Sequence, residues 1–247
     1  MGGIKMKKQL LARALLSSLF VIATGCSALE TITFGKGNVN EYEVDIEKDS
    51  ARDLEVNLQL GAGEMNISGG ASEWITGNIE YSNETMEPVV QYDLDGDKGD
   101  IVIKQKNKVN VGFGNMKNGW DLLLTNDVPI DLRVESGAAD TNLDLRGLRL
   151  RKLKVDAGVG DVEVDLSGDW QESFDVDIDT GVGKTTVILP KSVGVQIKSE
   201  EGVGKANFDG FTSSRNNTYV NEAFETADVI ITVKVETGVG EVNFQLK

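Results

Sequence analysis

The sequence predicts an all-β fold, a stacked β-solenoid whose rungs of about 21 residues each hold two short strands. The first observation behind this is a repeated tripeptide. Gly-Val-Gly occurs at Gly158–Gly160, Gly181–Gly183, Gly202–Gly204 and Gly238–Gly240, with weaker copies at Gly61-Ala62-Gly63 and Gly137-Ala138-Ala139. From Gly137 to Gly202 successive copies stand 21 to 23 residues apart. The second observation is period-two alternation on both sides of every copy, the mark of a half-buried strand. The third is composition: 28 Gly, 3 Pro, 6% aromatic residues and no long helical periodicity. A lone pair of short strands cannot bury its apolar face, whereas stacked copies cover one another. A sandwich with six similar hairpin turns is the other all-β arrangement that fits.

Residues 1–25 read as a lipoprotein signal rather than as part of the fold. Lys5, Lys7, Lys8 and Arg13 form a basic head, and Ala14 to Ala23 is too short to span a bilayer. Ala23-Thr24-Gly25 then precedes Cys26, the chain's one cysteine, which therefore has no disulfide partner and is the expected lipidation site. An ordinary secretory signal with a chance cysteine is the alternative. Residues 26–51 read as tether and lead-in strand, and residues 52–247 as the solenoid domain. Within it Leu54–Leu60 opens the first rung. Strands follow around Gly77–Tyr81 and Val89–Leu94, and a tight turn at Asp95-Gly96-Asp97 leads to Asp100–Gln105. Residues 104–119, with Lys104, Lys106, Lys108 and Lys117 among glycines, read as a basic, flexible loop.

Regular rungs follow from Trp120. Apolar positions before the corners include Leu148, Leu150, Leu153 and Val155, and later Phe174, Val176 and Ile178. Further copies are Val193, Val195 and Ile197, then Ile231, Val233 and Val235. At about 21 residues per rung the domain would hold roughly nine rungs. The corner glycines (Gly61, Gly63, Gly137, Gly158, Gly160, Gly181, Gly183, Gly202, Gly204, Gly238 and Gly240) fit turns that need positive φ. The apolar residue between them is expected to cap the edge of the core. Residues 210–227 interrupt the pattern with an excursion of a length that often carries function. The last strand, ending at Lys247, would need edge protection of its own.

The chemistry on offer is narrow. The chain has no His and one Cys, which removes most zinc sites and the Ser–His–Asp and Cys–His arrangements. The formal charge is −15 and is more negative without the basic head. That argues against nucleic acid as a partner. Gly181-Val182-Gly183-Lys184-Thr185 resembles the end of a phosphate loop. However, the pattern's first glycine would fall at Ile178, and a strand follows where a helix is needed, so no nucleotide is expected. Glu135, Asp156, Asp179, Glu200 and Glu236 each stand two residues before a corner and would form one row about 5 Å apart. Carboxylates of Glu135, Asp140, Asp156 and Asp161 are the candidate set for a weakly held divalent cation, the one cofactor the sequence suggests. The alternative is a solvated edge that discourages aggregation. Asn66, Asn142, Asn207 and Asn243 suggest a side-chain ladder. Trp170 is the candidate for stacking on a sugar, or else a cover for the core edge. Arg149, Arg151, Lys152 and Lys154 are counter-charges to acidic rungs or contacts to an anionic wall polymer.

The stretch Trp120-Asp121-Leu122-Leu123-Leu124-Thr125-Asn126-Asp127-Val128-Pro129-Ile130-Asp131-Leu132 resembles the toast-rack domain family. So do Ser136-Gly137-Ala138-Ala139-Asp140, Leu143-Asp144-Leu145, Tyr219-Val220-Asn221 and the later Gly-Val-Gly corners. That family is related to the cell wall-active antibiotic response proteins and to adhesin-like domains of unknown function. Ala139 departs from it, standing where a second glycine is usual. The resemblance implies a stacked β fold at the bacterial surface and brings no catalytic residues. The expectation is a lipid-anchored, extracytoplasmic protein of the cell envelope. It is read as a non-catalytic adhesin-like or structural module, with the membrane contacted through Cys26 and a wall polymer or envelope protein as partner. The other readings are an accessory in envelope stress or antibiotic response, and a glycan hydrolase using paired carboxylates.

Overall fold

The computed structural model describes residues 39–106, 117–214 and 217–247. Cys26, the signal-like segment and most of the basic loop lie outside the described residues. In chain order the strands are β1 (Asn40–Ile46), β2 (Asp53–Gly69), β3 (Ile75–Tyr81), β4 (Pro88–Asp95), β5 (Lys98–Gln105), β6 (Asn118–Leu124) and β7 (Pro129–Asp144). They continue as β8 (Arg149–Val159), β9 (Val162–Asp165), β10 (Phe174–Leu189), β11 (Gly194–Asp209), β12 (Thr212–Ser213), β13 (Thr218–Val220) and β14 (Ile230–Leu246). Two 3-10 turns, Glu84–Met86 and Glu222–Glu225, are the helical pieces among the described residues. The protein is all-β, and none of its described helices is long and apolar enough to cross a membrane.

The corner strands pair in parallel, in the order β2, β7, β8 with β9, β10, β14, β11. Identical positions of the repeat therefore stand side by side. One inward row runs Val56, Leu132, Leu153, Val176, Val233 and Ile197, all buried. Beyond the corners Ile67, Leu143, Val164, Val187 and Phe244 form a second buried row. Phe208 ends that row, stacked 5.0 Å from Phe244. These rows are the core, and each strand contributes the same few apolar positions to it.

Several expectations need correction. Most rungs are not two short strands. β2, β7, β10, β11 and β14 each run unbroken through the corner for 16 or 17 residues, and only β8 and β9 divide there. Six units carry a corner, not nine. Of the remaining strands, β5 and β6 pair in parallel with the two arms of β2, and antiparallel additions extend the sheet: β3 with β1 and β6, β5 with β4, and β13 with β12. β1 lies within the stretch read as tether and lead-in strand, and β3, β4 and β5 fall where alternation placed strands. The slip between Leu150 and Leu153 is a bulge: Ile130 faces Leu150, but Asp131 faces Lys152. The extra residue, Arg151, turns outward to ion pairs with Asp53 and Asp131, each at 3.1 Å.

The chain-terminal strand is not at an edge. β14 lies between β10 and β11 and pairs with both along its whole length. The strand that needs protection is β11, and the excursion at 210–227 supplies part of it. β13 pairs antiparallel with Gln196–Lys198 of β11. Tyr219 stacks on Phe208 with ring centroids 3.5 Å apart. Asn221, buried, accepts from the Val195 N–H at 2.9 Å and donates to the Val193 carbonyl at 2.8 Å.

The corner glycines have two separate jobs. Positive φ is confined to the second glycine, at Gly63, Gly160, Gly183 and Gly240. Proximity constrains both: a Cβ on Gly160 or Gly183 would stand 2.1 or 1.9 Å from a stacked carbonyl oxygen, and at the first glycines proximity acts without positive φ. A Cβ on Gly158 would stand 2.4 Å from the Gly137 carbonyl oxygen, and one on Gly181 2.4 Å from that of Gly158. The backbones of stacked corners thus touch directly. We expect Gly158→Ala to destabilise the fold by about 2 kcal/mol or more, because backbone must shift in two strands at once. Gly119→Ala, where a Cβ meets nothing within 4 Å, should stay within about 0.5 kcal/mol. Urea unfolding of both variants checks this.

A second prediction concerns pH. Asp49 accepts hydrogen bonds from Tyr92 Oη (2.6 Å), the Ala51 N–H (2.9 Å) and Trp74 Nε1 (3.3 Å), tying the β1–β2 connection to β3 and β4. These bonds, Tyr92's foremost, hold the Asp49 carboxyl below its usual range. Burial first, and then the bond to Asp49, push the Tyr92 phenol up to about 12. The folded state thus favours neutral tyrosine. Its contribution is complete below the ordinary value of 10.0 and is lost as pH rises through about 12. Asp49 contributes above its ordinary 3.8, and that share is lost as pH falls through its lowered pKa. Tyr92→Phe should flatten the alkaline fall in unfolding free energy, followed by urea titration from about pH 9 to 12.

Candidate functional site

The outer side of the corner is where the fold exposes what it would ordinarily bury. Two successive residues, the first glycine and its neighbour, face solvent at most corners. The neighbour is valine in four of the six copies. Val159, Val182, Val239 and Val203 are 54, 47, 48 and 69% exposed. Register stacks them in that order, with Ala138 beside Val159 and Ala62 beyond. Contrary to the expectation from sequence, the valine between the glycines does not cap the core. It forms part of an exposed apolar ridge across six strands, about 24 Å at the usual strand spacing. The signal for it was present: the same branched apolar residue at each place where the alternation slips.

Beside the ridge runs the acidic row, with Gln59 leading to Glu135, Asp156, Asp179, Glu236 and Glu200 in register. Two residues earlier on the same face stand Asn57, Arg133, Lys154, Asp177, Lys234 and Lys198. Each acid except Asp179 pairs with the cation on its own strand. Arg133 Nε donates to Glu135 at 2.6 Å, and its NH2 group reaches across to Asp156 at 2.7 Å. Lys154 lies 3.4 Å from Asp156, Lys198 lies 2.6 Å from Glu200, and Lys234 bonds Glu236. Glu135, and then Asp156, raise the Arg133 pKa, and Lys198 lowers that of Glu200. Arg133 was not singled out from sequence, though an Arg two residues before an acid on one strand face is the signal. A groove of ≈ 890 Å³ lies over this face, between Lys104 on β5 with Lys106 just after it and Glu135, Asp156 and Asp179.

The cation set is not brought together. Glu135 and Asp156 are joined through Arg133, while Asp140 and Asp161 lie beyond the corner. There Asp140 accepts the Asp161 N–H at 3.1 Å, and Asp161 accepts the Lys184 N–H at 3.0 Å. Among the described residues no three Asp or Glu side chains converge as metal ligands. The carboxylates are consumed by side-chain cations and backbone amides. In the asparagine row Asn207 donates to Asn243 at 2.7 Å and to Glu241 at 3.0 Å, while Asn66 donates to Asp121 at 2.9 Å.

Other candidates find structural roles. Trp170 is buried against Phe174 and donates to the Leu166 carbonyl at 2.7 Å, so it covers the core and offers no sugar platform. Trp74 and Trp120 are buried too. Lys184 and Thr185 continue strand β10, without the helix a phosphate loop needs. Arg151 and Lys154 are counter-charges, and Arg149 donates to the Asp127 carbonyl at 3.1 Å. Beneath the corners Thr180 bonds Thr237 (2.9 Å) and Thr185 (3.2 Å), and Thr141 bonds Ser136 (3.3 Å), a buried hydroxyl series that alternation alone did not distinguish.

Residues 35–188 match the N-terminal domain of toast_rack, DUF2154. The chain belongs to the toast-rack family. Residues 139–244 of this toast-rack chain also match the C-terminal domain of the cell wall-active antibiotics response protein LiaF. Among solved structures, a putative cell adhesion protein from Clostridium sporogenes ATCC 15579 is 34% identical. It aligns over 85% of this chain and 100% of its own, with a TM-score of 0.83. A putative adhesin from Bacteroides fragilis NCTC 9343 is 14% identical over 84% of this chain and 97% of its own, at a TM-score of 0.30. That likeness is too distant to carry an argument. A search of curated proteins returns no match.

The toast-rack ridge should be silent in stability. Val182→Ser and Val239→Ser are expected to change unfolding free energy by less than about 0.5 kcal/mol, as exposed positions do. Val235→Ala, in the buried row four residues before Val239, should cost about 1–3 kcal/mol. Chemical denaturation of the three variants makes the comparison.

Proposed function

We propose that this toast-rack chain is a non-catalytic binding module of the bacterial cell envelope. It is held outside the cytoplasm by lipidated Cys26, and it presents its stacked corners, solenoid fashion, to an envelope protein. The observation that carries the reading is the valine ridge. A row of branched apolar side chains kept in solvent by four of the six corners has no role in the core. It suits a partner that buries it.

The partner is read as protein rather than wall polymer for two reasons. The surface charge is strongly negative, and the cations beside the ridge, Arg133, Lys154, Lys198 and Lys234, are paired with its acids, which disfavours a polyanion. The tryptophans that could stack on sugars are buried. The hydrolase reading is weakened because Glu135 and Asp156 are both engaged by Arg133. Likeness to a protein described as a cell adhesion protein supports an adhesin-like role. A second reading, an accessory in the response to cell wall-active antibiotics, is supported by the match over residues 139–244. Both readings use the same ridge.

Two measurements test the proposal. Cys26→Ala should move the protein from the membrane fraction to the soluble fraction; unchanged fractionation would remove the anchor from the reading. In crosslinking on the native envelope, the Val159→Ser/Val182→Ser/Val239→Ser variant should lose the protein adduct. Leu94→Ser/Leu123→Ser, exposed apolar residues away from the ridge, should keep it. Equal adducts in both variants would sink the ridge as the binding face.

A further inference from the structure

β11 is protected only in part. β13 covers Gln196–Lys198, but among the described residues no strand pairs with the outer side of Gly202–Asp209. A sheet edge of this kind is a template for another strand. The sequence of this edge is self-complementary. In an antiparallel pairing centred on Asn207, Lys205 faces Asp209, Asn207 faces Asn207, and Ala206 faces Phe208. By the two-fold symmetry each of the unlike pairs occurs twice. Lys205, Asn207 and Asp209 share the exposed face, while Ala206 and Phe208 share the half-buried one. Tyr219 already stacks on the outer side of Phe208, and the residue a second strand would bring there is alanine, the smallest side chain on this face of the edge.

The opposite edge behaves the other way. β1 pairs with β3 and exposes Glu41, Glu43 and Asp45 on one face. An antiparallel copy centred on Glu43 would set Glu41 against Asp45, like against like. Head-to-tail growth, β1 on β11, would set one acid against Lys205 but the other two against Asn207 and Asp209, a poorer match than the two Lys205–Asp209 pairs of the self-pairing. One edge repels its own copy and the other attracts it, which closes the assembly at two.

We propose that two copies of this chain pair antiparallel through the free edge of β11, around Asn207, to form a two-fold dimer with a continuous sheet. Repulsion between two acidic bodies is screened beyond about 8 Å at physiological ionic strength, whereas the contact pairs persist.

The experiment is sedimentation velocity of the full chain in detergent at about 0.15 M salt, with charge variants. The parent should self-associate. Lys205→Asp and Asp209→Lys should each weaken association by roughly tenfold, since each turns two attractive cross-strand pairs into like-charge pairs. The double variant Lys205→Asp/Asp209→Lys should restore it. Independently, Asn207→Cys should give a disulfide-linked dimer on mild oxidation. Asn243→Cys, one strand further in, should give no more than the parent with its single Cys26. A monomeric parent would overturn the proposal. So would single variants that associate normally, a double variant that fails to recover, or equal crosslinking at 207 and 243.

Discussion

The structure depends on backbone touching backbone at the corners. From Gly137 onward each first glycine brings its Cα within reach of the carbonyl of the corner stacked against it, so close that a methyl group would stand 2.3 to 2.6 Å from that oxygen. This contact sets the register of every neighbouring strand, because the corner can sit in only one place relative to the next. Once register is set, the alternating positions on both arms align, and the apolar rows assemble without further instruction. The second glycine adds the positive φ that breaks the alternation. Ala139 shows that the two roles are separable. It occupies a second-glycine position without a left-handed backbone, and its side chain is buried over Gly63.

In-register stacking has an electrostatic consequence. Whatever charge the repeat carries at one position is repeated about every 4.8 Å. Here the row before the corner is acidic from Glu135 to Glu200. The chain meets this with a cation two residues earlier on the same strand face, as in Arg133, Lys154, Lys234 and Lys198. The pairs are exposed and individually weak. Their value lies in preventing a like-charge column rather than in adding stability. β10 breaks the rule with Asp177 and Asp179, and there the neighbours Lys154 and Lys234 flank Asp177 from both sides. The candidate cation set is split in the same way: Glu135 and Asp156 in the row are bridged by Arg133, while Asp140 and Asp161 beyond the corner accept backbone amides.

The all-β class, the corner positions and the rows on each arm were legible because they follow from period two and a repeated tripeptide. The positions of β3, β4 and β5 were legible for the same reason. What sequence could not supply was order. The spacing of 21 to 23 residues suggests that each unit stacks on the one before it, and this holds from β7 through β10. It fails at β11, since nothing local to Gly202 or Gly238 says which of two near-identical arms lies against β10. Site features split similarly. The acidic row was readable, but not Arg133 as its bridge, since that depends on register across strands. The valine was read as core cover because apolar residues usually are, and only the slip in burial at the corner reverses that inference.

The order of the last three corner strands carries a physical implication. β11 precedes β14 in the chain, yet β14 lies between β10 and β11, two strands with the same alternation. The chain distinguishes them through the excursion. β13 and Asn221 occupy the outer side of β11 at its first arm, binding Val193 and Val195, so β14 has only the inner side left there. Tyr219 closes the apolar row beyond Phe208. An insertion that interrupts the repeat in sequence is therefore what lets the final repeat enter in the interior, and it leaves the second arm of β11 as the edge at which the sheet stops.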